Sequence, residues 1–238
     1  DGSSAASVVY MRLAIVVHGG GNNIKKKLDE KNIETRFING LRVSDEKTIR
    51  YIEEALLELN LEILHELKSK NTSVCSISPK ENNVINITPE SKELGFVGTP
   101  KKINKEKILN FINNKQIPIV VPLGLGDDGR IYNINADVAA GSIAKEIDAR
   151  RLLLMTDVEG VLDENQKLIS EINLNRANEM LKNNIISGGM IPKINTCLNA
   201  ISNGVRGVVI VDGRKPHSIL FELFSDKGAG TLIRKWII

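Results

Sequence analysis

At 238 residues the chain is long enough for one sizeable core and too short to make two ordinary domains the expectation. Its net charge of +3 comes from Lys and Arg interleaved with Asp and Glu, and only 4% of residues are aromatic, so neither a basic footprint nor stacking platforms for nucleic acid are expected. Cys75 and Cys197 match no CxxC or zinc spacing, and apolar runs such as 151–155 fall far short of the roughly twenty residues of a membrane helix, so metal, disulfide and membrane readings are set aside.

Residues 1–7 carry neither the basic start nor the apolar stretch of a signal peptide, and no initiator Met, so some preceding sequence is expected to be missing. The apolar run 14–17 reads as a strand entering a glycine cluster. Ile49, Ile52, Leu56, Leu59, Ile63 and Leu67 then mark one face of a helix over 44–70, with Ser44 as N-cap and Asp45 and Glu46 in its first turn. Residues 70–93 hold only short apolar islands and read as a hairpin-like excursion. A helix from about 104 precedes the buried-type run 117–121 and the turn 126–129.

The later half repeats this alternation: a helix after Asp137, strand 152–156, a helix around 176–182, a helix 190–202 ending at Gly204, strand 207–211, a short helix 216–224 and the terminal run 231–233. Short β-branched strands between amphipathic helices predict an α/β fold, a three-layer αβα sandwich with a mainly parallel central sheet. One domain over 1–238 is expected, with no repeat and no low-complexity linker.

The sharpest local signal is Ile15-Val-Val-His-Gly-Gly-Gly-Asn22, because consecutive glycines let backbone N–H groups face an anion without Cβ obstruction. Alone, such a turn is more often structural. It is neither GxGxxG nor a Walker A, since no Gly-Lys-Ser/Thr follows. Downstream stand Asn39-Gly-Leu-Arg-Val-Ser44, Leu94-Gly-Phe-Val-Gly98, Tyr132-Asn-Ile-Asn-Ala-Asp137, Leu154-Met-Thr-Asp-Val-Glu-Gly-Val-Leu162, Ile186-Ser-Gly-Gly-Met-Ile-Pro-Lys193 and Asp212-Gly-Arg-Lys-Pro-His217.

In this order, and across 16–233, these motifs resemble those of N-acetylglutamate kinases in the amino acid kinase family. The resemblance implies an open, mainly parallel eight-stranded αβα sandwich, with residues to about 140 serving the amino-acid substrate and dimerisation, and those from about 141 serving the nucleotide. It implies ATP with Mg²⁺ and N-acetyl-L-glutamate as substrates. Gly20 and Gly21 would offer N–H groups to substrate and moving phosphoryl, Arg42 would clamp the α-carboxylate, and Asn133 would bind the amino-acid end. Thr156, Asp157, Val158, Glu159, Gly160 and Val161 would form one wall of the nucleotide site, and Ile185, Ile186, Ser187, Gly188, Gly189 and Met190 the other. Lys193 would stabilise charge on the transferred phosphoryl, oriented by Asp137; no metal ligand is assigned. A side-chain carboxylate, with a pKa of about 4.3, is already ionised at neutral pH, so its attack needs no general base and His18 and His217 are left as structural residues.

Three departures from the family pattern stand out. Family members carry a Lys before a first glycine pair, and no Lys precedes His18; Gly2-Ser-Ser-Ala5 reads as a remnant of that loop and 4–13 equally as the helix after it. Asn60 stands where an Asn-Lys pair is usual, without the Lys, and 76–83, with Pro79 and Lys80, replaces a Gly-Lys-Asp-Gly hairpin over the substrate. The missing Lys motivates a competing reading, a binding or regulatory subunit without turnover. Another carboxylate kinase of the family is the third reading, although Asn39-Gly-Leu-Arg42, the run ending at Lys193 and Gly228-Ala-Gly-Thr231 suit the acetylglutamate branch better. The end 222–231 resembles that of arginine-inhibited relatives, some hexameric and some controlled by the PII signalling protein, so arginine, PII and a homodimer or homohexamer are expected partners. The many Ile, Asn and Lys residues suit an AT-rich genome, hence bacterial cytoplasm or plastid stroma.

Overall fold

Every strand of the central layer pairs with a neighbour distant in sequence, the crossover pattern that parallel sheets require. The structure, a computed structural model, describes residues 14–225 and 227–236; the expectations for 2–5 and 4–13 lie outside the described residues. Its elements in chain order are β1 (Val16–Val17), α1 (Gly21–Glu30), β2 (Phe37–Ile38), β3 (Leu41–Arg42), α2 (Glu46–Ser69), β4 (Val74–Ile77), α3 (Pro79–Asn82), β5 (Ile85–Pro89), β6 (Gly98–Ile103), α4 (Lys105–Asn113), β7 (Ile117–Val120), β8 (Leu123–Leu125) and β9 (Ile131–Asn133). There follow α5 (Ala136–Glu146), β10 (Leu152–Thr156), β11 (Glu171–Asn173), α6 (Leu174–Lys182), α7 (Met190–Ser202), β12 (Val208–Asp212), α8 (Ser218–Phe224) and β13 (Gly230–Arg234).

The sheet β1-β7-β4 is wholly parallel, and β10-β12-β13-β11 is parallel except where β12 meets β13. Alternation along β7 sorts the layers. Ile119 packs with Leu64 of α2, whereas its neighbour Val120 packs with Ile108 of α4 and Ile143 of α5, on the opposite face. β12 is buried at all five positions, as its uninterrupted apolar run requires. The αβα sandwich is therefore observed. Among the described residues its ladders form separate three- and four-stranded sheets, not one sheet of eight strands, with a further sheet β6-β5-β8-β9 beside them. Helix α5 spans the division: Ala139 and Ile143 join the core of the first half, Ala144 that of the second, and the helix packs on both β1 and β10.

Two local expectations are corrected. Asp45, not Ser44, caps α2, its carboxylate accepting from the Thr48 N–H at 2.7 Å; Ser44 is buried and instead takes backbone hydrogen bonds from Phe96 and to Leu94. Residues 74–77 are not part of an excursion but the strand β4 at the edge of the parallel sheet, buried at Val74 and Ile77, while the antiparallel pair β5–β6 supplies the hairpin. The alternation was hidden because Cys75 and Ser76 stand between the two apolar residues.

Candidate active site

The first part of the site grows out of β1. After Val17 the chain turns into α1 at Gly20, which has no side-chain cap, so the N–H groups of the helix's first turn, starting at Gly21, have no intrahelical acceptor. They form a positive, anion-directed edge. Position 20 packs closely on α2: a Cβ there would stand 2.4 Å from Leu56 Cδ2, so a side chain would require buried Leu56 to shift. Buried His18 underlies the loop, its Nδ1 2.7 Å from the Gly19 carbonyl, and Asn60 Nδ2 lies 3.2 Å from its Nε2.

Arg42 reaches this edge from the β2–β3 hairpin. Asn39 and Gly40 at the hairpin tip have φ of 51° and 80°, the left-handed pair that makes Asn-Gly a tight-hairpin signature. The Arg42 guanidinium donates to Thr35 Oγ1 at 3.2 Å and to the Gly21 carbonyl at 3.4 Å, and lies 4.8 Å from the Phe37 ring centroid. Burial lowers its pKa somewhat, but a guanidinium remains charged. Among the described residues no carboxylate pairs with it. Backbone hydrogen bonds continue the line: Phe96 N donates to Ser44 O at 2.6 Å, and Asn133 N to Phe96 O at 2.9 Å. Asn133 thus sits half-buried at the end of β9.

Two residues later Asn135 caps α5, accepting from the N–H groups of Asp137 and Val138. Asp137 is thereby held in the first turn, where its Oδ2 lies 2.7 Å from Lys193 Nζ of α7. Buried Cys197, one turn beyond Lys193, has its thiol pushed up to about 12 by burial and then by the charge of Asp137. It is an inert filler beneath the pair.

The two proposed nucleotide walls lie at the ends of β10 and at the start of α7. Thr156 ends β10 and accepts at its carbonyl from Gly213 N, 2.7 Å away. Asp157, Val158 and Glu159 are exposed, and Glu159 pairs with Lys215 at 2.6 Å. Gly160, at φ 147°, leaves room for Thr231, whose hydroxyl accepts from Val161 N at 2.8 Å and donates to Ile169 O at 2.6 Å. In the second wall Ile185 and Met190 are half-buried, Ile186 is buried, and Ser187, Gly188 and Gly189 are exposed, with Gly188 at φ 55°. Gly189 leads into α7 without a side-chain cap.

The structure therefore brings Arg42 to Gly21, and Asp137 to Lys193, in direct contact. Asn133 is linked to Ser44 by backbone hydrogen bonds that pass through Phe96. Sequence patterns missed Thr231 as a fastener, and missed the Asp212 carboxylate bridging to Arg214, which holds it down at about 2 through the guanidinium and its N–H. Residues 79–82 form a one-turn helix capped by Ser78, with Lys80 2.6 Å from Glu53, where the resemblance implied a hairpin lid.

A family model described as the amino acid kinase family matches residues 10–212. The acetylglutamate kinase of Pelagibacter ubique is 55% identical over 221 residues, spanning 93% of this chain and 77% of that protein. The chain belongs to the acetylglutamate kinases of the amino acid kinase family. The acetylglutamate kinase of Clostridioides difficile is 45% identical, over 93% of this chain and 79% of its own. A solved Streptococcus mutans protein, smu.665, superposes with a TM-score of 0.81 at 33% identity, covering 92% of this chain and 85% of that one. The fold alone extends to N-acetylglutamate synthase from Neisseria gonorrhoeae, with a TM-score of 0.85 at 20% identity over 95% of this chain and 53% of that one.

Proposed function

We infer that this protein transfers the γ-phosphoryl group of ATP to the side-chain carboxylate of N-acetyl-L-glutamate, giving N-acetyl-L-glutamyl 5-phosphate for arginine biosynthesis. The observation that carries the reading is Arg42, a guanidinium with no carboxylate partner among the described residues, bonded to the Gly21 carbonyl at the end of α1 whose first-turn N–H groups have no intrahelical acceptor. That pairing suits a substrate with a carboxylate to clamp and a phosphoryl to receive.

A carboxylate oxygen attacks the γ-phosphorus as the bond to the β,γ-bridging oxygen breaks, and ADP leaves with that electron pair. No proton moves. Catalysis then rests on position and charge. Arg42 and Asn133 orient the amino acid, Gly20 and Gly21 meet the phosphoryl oxygens, and Lys193, aligned by Asp137, offsets the charge developing toward ADP. Mg²⁺ enters with ATP as part of the substrate. The 156–161 and 185–190 segments let backbone approach the nucleotide.

An ADP-release assay with N-acetylglutamate, glutamate, aspartate and carbamate tests this. Preference for N-acetylglutamate, lost in Arg42→Ala, supports it; binding of N-acetylglutamate without any turnover supports a regulatory subunit instead.

Arginine inhibition is a second reading, favoured by one observation. The Glu222 carboxylate is buried, accepts from Arg151 Nη1 at 3.1 Å and from Ala229 N at 3.0 Å, and lies beside a groove of about 310 Å³ lined by Ser218, Phe221 and Gly228. Free arginine would compete with the Arg151 guanidinium for that carboxylate. Unchanged activity in millimolar arginine would remove this reading. Assembly as a homodimer or homohexamer, PII binding, and a place in bacterial cytoplasm or plastid stroma are proposed on the resemblance of the 222–231 end and the bacterial relatives. No helix among the described residues is long and apolar enough to cross a membrane.

A further inference from the structure

Beyond Thr48 in its first turn, the buried face of helix α2 is the apolar row Ile49, Ile52, Ala55, Leu56 and Leu64, interrupted by Asn60 at 1% exposure. A buried amide in such a row costs stability unless every polar atom finds a partner. Asn60 finds three. Its Oδ1 accepts from Ser76 Oγ of β4 at 2.7 Å; its Nδ2 donates to the Ile119 carbonyl of β7 and lies the same 3.2 Å from His18 Nε2.

These bonds leave one consistent assignment. Ser76 and Ile119 fix which end of the amide is oxygen, so Nδ2 faces His18 and Nε2 must be the unprotonated acceptor. Nδ1 then carries the hydrogen and donates to Gly19 O at 2.7 Å. The imidazole is thus a rigid strut from the sheet and α2 to the peptide that precedes Gly20. The same loop is held from below by Leu56, against which Gly20 packs, and from the side by Arg42 at Gly21 O.

We propose that His18 and Asn60 are positioning residues for phosphoryl transfer: the neutral Nδ1–H imidazole, set by Asn60, orients the Gly19 carbonyl and with it the Gly20 and Gly21 N–H groups that receive the phosphoryl oxygens. The proposal rests on the glycine-loop reading given above. Neither side chain touches the reacting atoms, and the effect is on the aim of the donors. Displacement of such donors by a fraction of an ångström lowers the rate of the chemical step and leaves nucleotide affinity largely alone.

The test compares Asn60→Leu, His18→Asn and His18→Leu with the unaltered protein, with kcat referred to the concentration of N-acetylglutamate binding sites. Asn60→Leu and His18→Leu should lower kcat about tenfold or more with KM for ATP within about threefold. His18→Asn, which keeps a donor near the Nδ1 position, should recover a large part of kcat. Long-range nitrogen–proton spectra of the imidazole should show the hydrogen on Nδ1 in the unaltered protein. If Asn60→Leu fails to fold, the two His18 variants and the imidazole spectrum still decide. A hydrogen on Nε2, or equal kcat per binding site in all variants, overturns the proposal. Separately, the Gly20 and Gly21 amide resonances should shift when N-acetylglutamate and a non-hydrolysable ATP analogue bind. If they do not, the glycine-loop reading itself fails and takes the proposal with it; shifted amides with unchanged kcat sink only the positioning role.

Discussion

Lys193 of α7 and Asp137 of α5 meet at 2.7 Å across 56 residues of sequence, and both side chains keep partial access to solvent, 21% and 23%. Half-open pairs of this kind contribute little to folding, about 0–1 kcal/mol. The Asn135 cap fixes the backbone of Asp137 in the first turn of α5 and with it the geometry in which the carboxylate meets the lysine.

The first prediction follows. Lys193→Ala should lower kcat by about a hundredfold to a thousandfold, the scale for removing one transition-state donor, while shifting the thermal midpoint by no more than a few degrees. Asp137→Asn should show a smaller loss, because it keeps a hydrogen-bond acceptor for the ammonium but not the charge. Steady-state kinetics with thermal melts checks both. A large fall in melting temperature with kcat retained would assign the pair to structure.

Arg42→Lys should retain charge and lose the planar fork that Thr35, Gly21 O and Phe37 hold in place. KM for N-acetylglutamate should rise about tenfold to a hundredfold with KM for ATP nearly constant. Parallel changes in both constants would show that Arg42 acts on the loop and not on the amino acid.

His18 gives a pH signature. Burial lowers its pKa from 6.5, the Gly19 hydrogen bond opposing only in part. A base with a depressed folded pKa binds more protons when unfolded. Its contribution is fully present above the unfolded value near 6.5 and is lost as pH falls toward and through the folded value. Urea unfolding from pH 8 to 5 should show stability declining below about 6.5, more steeply in the unaltered protein than in His18→Asn. Identical slopes would mean that the imidazole is not buried neutral.

Burial raises the pKa of both thiols, and that of Cys197 reaches about 12. Thiol reagents at pH 8 should leave Cys197 unmodified in the native protein and label both cysteines in urea, with mass spectrometry locating the adduct. Rapid native labelling of Cys197 would place it outside the α7 core.

Much of the candidate site's local backbone was legible because its motifs are local: glycines before α1, Asn39-Gly40 before Arg42, and the run into Lys193 each announce a backbone geometry within a few residues. What stayed hidden depends on residues far apart in the chain. The strand β4 looks polar because only Val74 and Ile77 face the core, and the cap of α2 fell on Asp45 because Ser44 is consumed by pairing with Leu94 and Phe96. Asn60 was visible as a residue but not as a partner, since Ser76 and Ile119 come to it only when the sheet forms.

Thr231 is the clearest hidden case, and it yields the last prediction. It read as one residue of a terminal β run, yet its hydroxyl is fully buried, accepts from Val161 N and donates to Ile169 O, tying the end of the 156–161 segment to β13. Valine has the same shape and neither bond. Thr231→Val leaves a buried N–H and a carbonyl without partners, which costs about 1–3 kcal/mol. Because the loosened segment begins at Gly160, where Thr231 already crowds the space a side chain would occupy, KM for ATP should rise while KM for N-acetylglutamate stays near its original value. Denaturant unfolding gives the first quantity and steady-state kinetics the second. Thr231→Ser, which keeps the hydroxyl and loses only a methyl group, should restore ATP affinity; if it binds ATP as poorly as Thr231→Val, packing and not the hydrogen bonds holds the nucleotide wall.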